Sequence, residues 1–226
     1  VYLEKMRNQV EAITAFEDVL AEDPEHRGAL SALDGLYEKR RDWENLIGIR
    51  LRLAETLSDD EQLEALKELA AYATKKIRRP DLTQSLWEQV LEFDPSDIDG
   101  KTALVSIYEQ TKDWHALVDT LEGMVDELEA EQQKSALQKL GSIYQDRLSD
   151  TSRAAETWRR LSELDPTNRR ATDSYKKSLI ELADWDELCR FFLELERGAE
   201  LARILEGQVG VQSDDDSKLD LLFRAA

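Results

Sequence analysis

The chain is poor in the residues that build tight turns, cross-links and reactive centres. Cysteine occurs once, at Cys189, which excludes an internal disulfide and any multi-cysteine metal site, and is compatible with a reducing compartment. Four prolines and nine glycines in 226 residues leave little material for β-hairpins. No stretch sustains strict alternation of apolar and polar residues, so essentially no sheet is expected. The longest apolar runs are a few residues, far short of the roughly 20 that cross a bilayer, and no membrane insertion is expected. Basic residues are also in deficit, 30 against 49 acidic ones, for a net charge of −19. That balance repels phosphate backbones at long range, so nucleic acid is not an expected partner, whereas proteins with basic surfaces are attracted in a salt-dependent way. The chain opens on Val1 without the basic and apolar segments of a secretory signal, and it reads as a fragment of a longer protein.

What is present is repetition. Asp-Pro pairs stand at Asp23-Pro24, Asp94-Pro95 and Asp165-Pro166, and Asp-Trp pairs at Asp42-Trp43, Asp113-Trp114 and Asp184-Trp185, both series with a period of 71 residues. The same step carries Phe16 to Trp87 to Trp158, Leu46 to Leu117 to Leu188, and Tyr37 to Tyr108. Units copied at a fixed period cannot each bury an apolar face alone and stack on their neighbours.

Each module reads as two antiparallel helix pairs. Ser58 and Glu61 have the spacing of a capping box ahead of Leu63, Leu66, Leu69, Ala70, Ala73 and Ile77 at helical intervals. Pro80 forbids continuation, and Asp81 is expected to cap a second helix carrying Leu82, Leu86, Trp87, Val90 and Leu91. Asp97 then starts a third helix with Ala103, Leu104, Ile107 and Tyr108 inward. Asp113 caps a fourth, running through Trp114, Leu117, Leu121, Met124, Val125 and Leu128. The predicted fold is all-α.

These residues resemble the tetratricopeptide repeat. Leu140-Gly141-Ser142-Ile143-Tyr144, followed by Ala154, Trp158 and Pro166, is similar to its L-G-x2-Y, A-x3-F and closing Pro pattern, with Trp in place of Phe. Ala12, Phe16 and Pro24 repeat the second half. Leu46, Leu117 and Leu188 depart from it, standing where a small residue is usual. The resemblance implies a right-handed α-α superhelix, a tetratricopeptide-like solenoid of antiparallel helix pairs. The array is expected over residues 1–197, its first unit truncated because Tyr2 aligns with Ala73 and Tyr144, deep in a first helix. Residues 198–226 are expected as an irregular continuation. There Leu201–Val209 copies Leu117–Val125 at an offset of 84 rather than 71, through either an irregular helix pair or residues missing near Gly198.

No catalytic constellation is expected. His26 and His115 lie in different repeats, where surface or capping roles suit them. Asp59-Asp60-Glu61 and Asp214-Asp215-Asp216 lack calcium-loop spacing and read as negative charge at helix starts. The five Asp-Trp and mid-helix tryptophans read as core. Cys189 reads as inert packing. Lys75-Lys76-Ile77-Arg78-Arg79 and the group Arg159, Arg160, Arg169, Arg170, Lys176 and Lys177 read as helix-end complementarity combined with salt bridges to the surplus carboxylates. No cofactor or metal is expected.

The resemblance places partner contacts on a concave face formed by first helices. In its register these are Ser31, Gly35, Glu38 and Lys39; Lys67, Ala71, Thr74 and Lys75; Thr102, Ser106 and Glu109; and Gln138, Ser142 and Gln145. The Lys-Asn pair with which chaperone-binding relatives hold a terminal carboxylate has no counterpart: its positions carry Ser31 with Gly35, Lys67 with Ala71, Thr102 with Ser106, Gln138 with Ser142, and Asp173 with Lys177. The implied function is a non-catalytic protein-interaction scaffold acting within a larger complex. The alternatives are an RNA-processing factor of the half-a-tetratricopeptide type and a docking segment of an enzyme whose catalytic domain lies elsewhere.

Overall fold

A computed structural model describes residues 9–77, 79–211 and 213–225. Tyr2 and Arg78, both used in the sequence reading, lie outside them. Among the described residues there is no strand, and no helix is long and apolar enough to cross a membrane. The anticipated all-α class holds.

The chain divides into two compact units, residues 1–120 and 121–226. The first contains α1 (Gln9–Glu22), α2 (Arg27–Arg40), α3 (Trp43–Glu55), α4 (Asp59–Lys76), α5 (Pro80–Phe93), α6 (Ile98–Thr111) and most of α7 (Trp114–Glu122). The second contains a single 3-10 turn (Val125–Glu127), α8 (Ala130–Ile143), a π-helical turn (Tyr144–Leu148), α9 (Thr151–Leu164), α10 (Arg169–Leu182), α11 (Trp185–Glu194), α12 (Gly198–Val209) and α13 (Asp215–Ala225). Helices packed on their sequence neighbours through short turns build each unit, as in an α-α superhelix.

Local chemistry explains the boundaries. Each Asp-Pro pair closes the same turn, with His26, Asp97 and Asn168 donating their backbone N–H to the carbonyls of Asp23, Asp94 and Asp165. Each of those three residues then caps the following helix: His26 Nδ1 accepts from Ala29 N at 3.1 Å, Asp97 Oδ1 from Gly100 N at 2.6 Å and Asn168 Oδ1 from Ala171 N at 3.2 Å. Three different side chains thus fill one role, taking up an otherwise orphaned N–H. His26 is accordingly a capping residue. Before each Asp-Trp pair the backbone turns left-handed at Arg41, Lys112 and Ala183, with φ of 57°, 61° and 54°. Asp42, Asp113 and Asp184 then bond back to Tyr37, Tyr108 and Leu179. Such a conformation favours glycine, yet among the described residues the five left-handed positions are all occupied by others, Ser149 and Glu196 included.

The core repeats in register. Leu46, Leu117 and Leu188 are each completely buried, as are Ala12 and Ala154. Trp87 and Trp158 are buried, matching the core reading, but Trp43, Trp114 and Trp185 are only half-buried at their helix starts. Two expected boundaries shift. Asp81 lies in the first turn of α5 rather than capping it, because Pro80 itself takes the first helical position, where its missing N–H costs nothing. The helix from Trp114 stops at Glu122, and Val125–Glu127 form a separate 3-10 turn. The segment after Asp184 forms two successive helices, α11 and α12, split at Glu196, whose φ is 55°. The acidic runs sit at helix starts: Ser58 N and Oγ both donate to Glu61, and Asp214 accepts from Ser217 N at 2.7 Å.

Candidate interaction groove

In the first unit α2, α3 and α4 enclose a groove of 620 Å³. Arg27 and Ser31 come from α2, Arg50 and Leu53 from α3, and Ala65, Glu68, Leu69 and Tyr72 from α4, while Leu57 from the intervening turn stands 38% exposed at its edge. The wall is mostly apolar, with a fixed cation at its centre. Arg50 donates Nε to Asp34 at 2.6 Å and Nη2 at 3.4 Å, lies 3.6 Å from Glu38, and stacks 4.6 Å from the centroid of the Tyr72 ring. Partial burial acts against the guanidinium charge, and Asp34 and Glu38 more than offset it, so Arg50 is held more firmly protonated than in solution. Tyr72 in turn donates its hydroxyl to Glu38 at 2.6 Å, and burial with that bond raises its pKa. Arg50 and Tyr72 therefore form one pre-organised wall, held by Asp34 and Glu38. An apolar groove with few fixed polar groups suits a segment of another protein.

The anticipated concave positions are distributed unevenly. Ser31 lines this groove. Glu38 and Lys75 line a second concavity of 610 Å³ together with Arg41, Trp43, Tyr72 and Lys76. Lys67 is engaged internally, 2.6 Å from Asp97 and 3.8 Å from Asp94, and the hydrogen bond to Asp97 together with the charge of both carboxylates raises its pKa. Thr74 accepts the indole N–H of Trp87 at 3.0 Å and donates to Ala70, so it faces α5. Gly35 has open space where a Cβ would stand, Ala71 is half-buried, and Lys39, Thr102, Ser106 and Glu109 are exposed. In the second unit Ser142 donates to Gln138 O and accepts from Arg170, while Gln145 is half-buried in the π turn.

Sequence reasoning missed Arg27, Arg50, Leu53, Leu57 and Tyr72. The groove opens on the face of α4 carrying Ala65, Glu68 and Tyr72, one residue along from the register of Lys67, Ala71 and Thr74. Tyr72 and Arg50 also fall outside the 71-residue landmarks, since Ile143 and Leu121 stand one period later. The expectation that the basic runs are neutralised by carboxylates is corrected in part. Arg159, Arg160, Lys176 and Lys177 do pair, with Glu163, Asp126, Asp173 and Glu181, and Arg79 pairs with Glu44 and Asp81. Lys75 and Lys76 have no carboxylate partner among the described residues.

Residues 29–64, spanning α2, α3 and the start of α4, match the tetratricopeptide repeat family model. Among solved structures the chain is similar to the crystal structure of the MamA protein, at 18% identity, with 85% of this chain and 95% of that one covered and a TM-score of 0.41. A second MamA crystal structure matches at 14% identity, with 85% and 92% covered and a TM-score of 0.40. No curated protein sequence matches. Residues 29–64 thus match a tetratricopeptide repeat, set within an all-α chain of successive packed helices.

Proposed function

We propose that this chain is a non-catalytic interaction scaffold, a piece of a longer multi-repeat protein working in an assembly, and that the α2–α4 groove receives a segment of its partner. The observation that carries this reading is the groove itself: Leu53, Leu57 and Leu69 give apolar contact, and Arg50 and Tyr72 are fixed in advance by Asp34 and Glu38. Pre-organisation lowers the ordering cost of binding.

Affinity capture of the intact protein from its source, repeated with Ser31→Arg and Leu57→Glu, tests the reading. A specific partner retained by the natural chain and lost with both variants is the expected result. Equal recovery with all three proteins, when circular dichroism shows the variants folded, rules the groove out.

A further inference from the structure

A second surface stands out from the distribution of charge. The last turn of α2 carries Lys39 and Arg40, followed by Arg41 in its left-handed cap, and the last turn of α4 carries Lys75 and Lys76. Arg41, Lys75 and Lys76 surround the 610 Å³ concavity with Trp43, Tyr72 and Glu38. All five cations are exposed, and none forms a salt bridge among the described residues. The one carboxylate lining the concavity, Glu38, is already engaged by Tyr72 and Arg50.

Helix-end complementarity does not account for this concentration. Cations favour the negative end of a helix, but α1, α5, α6, α9, α10, α11 and α12 have no basic residue in their last turns. The other basic helix ends are occupied: Arg52 donates to Pro24 O, Arg224 bonds Asp186 and Asp220, and Arg147, at the end of the π turn, is also engaged. Nor does the turn need the charge. One and two periods after Lys39-Arg40-Arg41, the same left-handed turn closes on Gln110-Thr111-Lys112 and on Glu181-Leu182-Ala183. The patch is therefore a local feature laid over a repeated scaffold.

We infer that this basic rim binds an acidic peptide segment of a partner protein. Several neighbouring carboxylates can each meet a separate cation, and the half-buried Trp43 and Tyr72 give the peptide backbone an apolar edge. A long polyanion such as RNA is disfavoured because its phosphates beyond the rim face the field of a chain with net charge −19. The inference rests on the scaffold reading but concerns a surface distinct from the α2–α4 groove, with only Tyr72 shared.

The test is fluorescence anisotropy of a short fluorescein-labelled peptide of alternating Glu and Asp. Lys75→Glu/Lys76→Glu and Lys39→Glu/Arg40→Glu are each expected to weaken binding roughly tenfold or more, from the loss of two charge contacts and their replacement by repulsion. Lys112→Glu, an exposed cation one period from Arg41, should bind as the natural chain does. Affinity should also fall as salt rises. If either reversal disturbs the helical circular-dichroism spectrum, Lys75→Gln/Lys76→Gln serves in its place. Binding unchanged by the reversals, no binding at low salt, or tighter binding of an RNA oligonucleotide of equal charge overturns the inference. A natural partner that survives the rim reversals but is lost with Leu57→Glu overturns the rim alone and leaves the scaffold reading standing.

Discussion

Gly141 on α8 lies directly beneath the indole of Trp158 on α9: a Cβ added at Gly141 would stand 2.5 Å from Cε2 and 2.8 Å from Cδ2 and Cζ2. Trp158 is 1% exposed and walled in, so the ring has nowhere to move. Alanine normally improves a helix by about 1 kcal/mol over glycine, but overpacking of a fixed core costs about 1–3 kcal/mol. Gly141→Ala is expected to destabilise the protein by up to about 2 kcal/mol in urea unfolding. Gly35→Ala, where the added methyl meets nothing within 4 Å, should instead stabilise. A gain at both positions contradicts the close approach.

The left-handed residues give a prediction of opposite sign. Ala183 holds φ of 54° in the cap between α10 and α11, a conformation costing a residue with a Cβ about 1 kcal/mol or more. Ala183→Gly is expected to raise stability by about 1 kcal/mol, seen as a higher urea midpoint with an unchanged slope. Unchanged or lower stability would mean that the turn relaxes out of the left-handed region.

Alkaline pH should weaken the fold through its tyrosines. Burial, with the hydrogen bond to Glu88, pushes the Tyr108 hydroxyl from 10.0 up to about 12, and burial with the Glu122 bond does the same for Tyr144. Burial likewise moves Tyr175 to about 12. Above pH 10 the unfolded chain loses these protons while the folded chain keeps them, so stability present below pH 10 is lost as pH rises towards 12. Melting temperatures measured across that interval should fall. The fall should be shallower in the Tyr108→Phe/Tyr144→Phe variant, and an identical slope would exclude these hydroxyls as its source.

The fold was legible because period and packing coincide. Trp87 and Trp158, Leu46 and Leu188, and the Asp-Pro turns recur in sequence because the same environments recur in space. Details that depend on a single copy were not legible. Trp87 donates its indole N–H to Thr74, whereas Gln145 stands one period after Thr74 in the sequence and Trp158 Nε1 has no hydrogen-bond partner among the described residues. The left-handed caps escaped notice because none carries the glycine that would have marked it. The π turn at Tyr144–Leu148 has no sequence signal of its own. The groove was missed for a related reason. Its walls are Arg50 and Tyr72, which gain meaning only when α3 and α4 meet around Asp34 and Glu38.

Tyr72 is the partition between two compartments of the first unit, since its ring borders both the α2–α4 groove and the basic concavity. Removing that ring takes away the stacking on Arg50 and the hydroxyl bond to Glu38 at once, and one wall of each space with them. Changes at Tyr72 therefore cannot be assigned to one ligand or the other, and separating two occupants requires substitutions on either side of it.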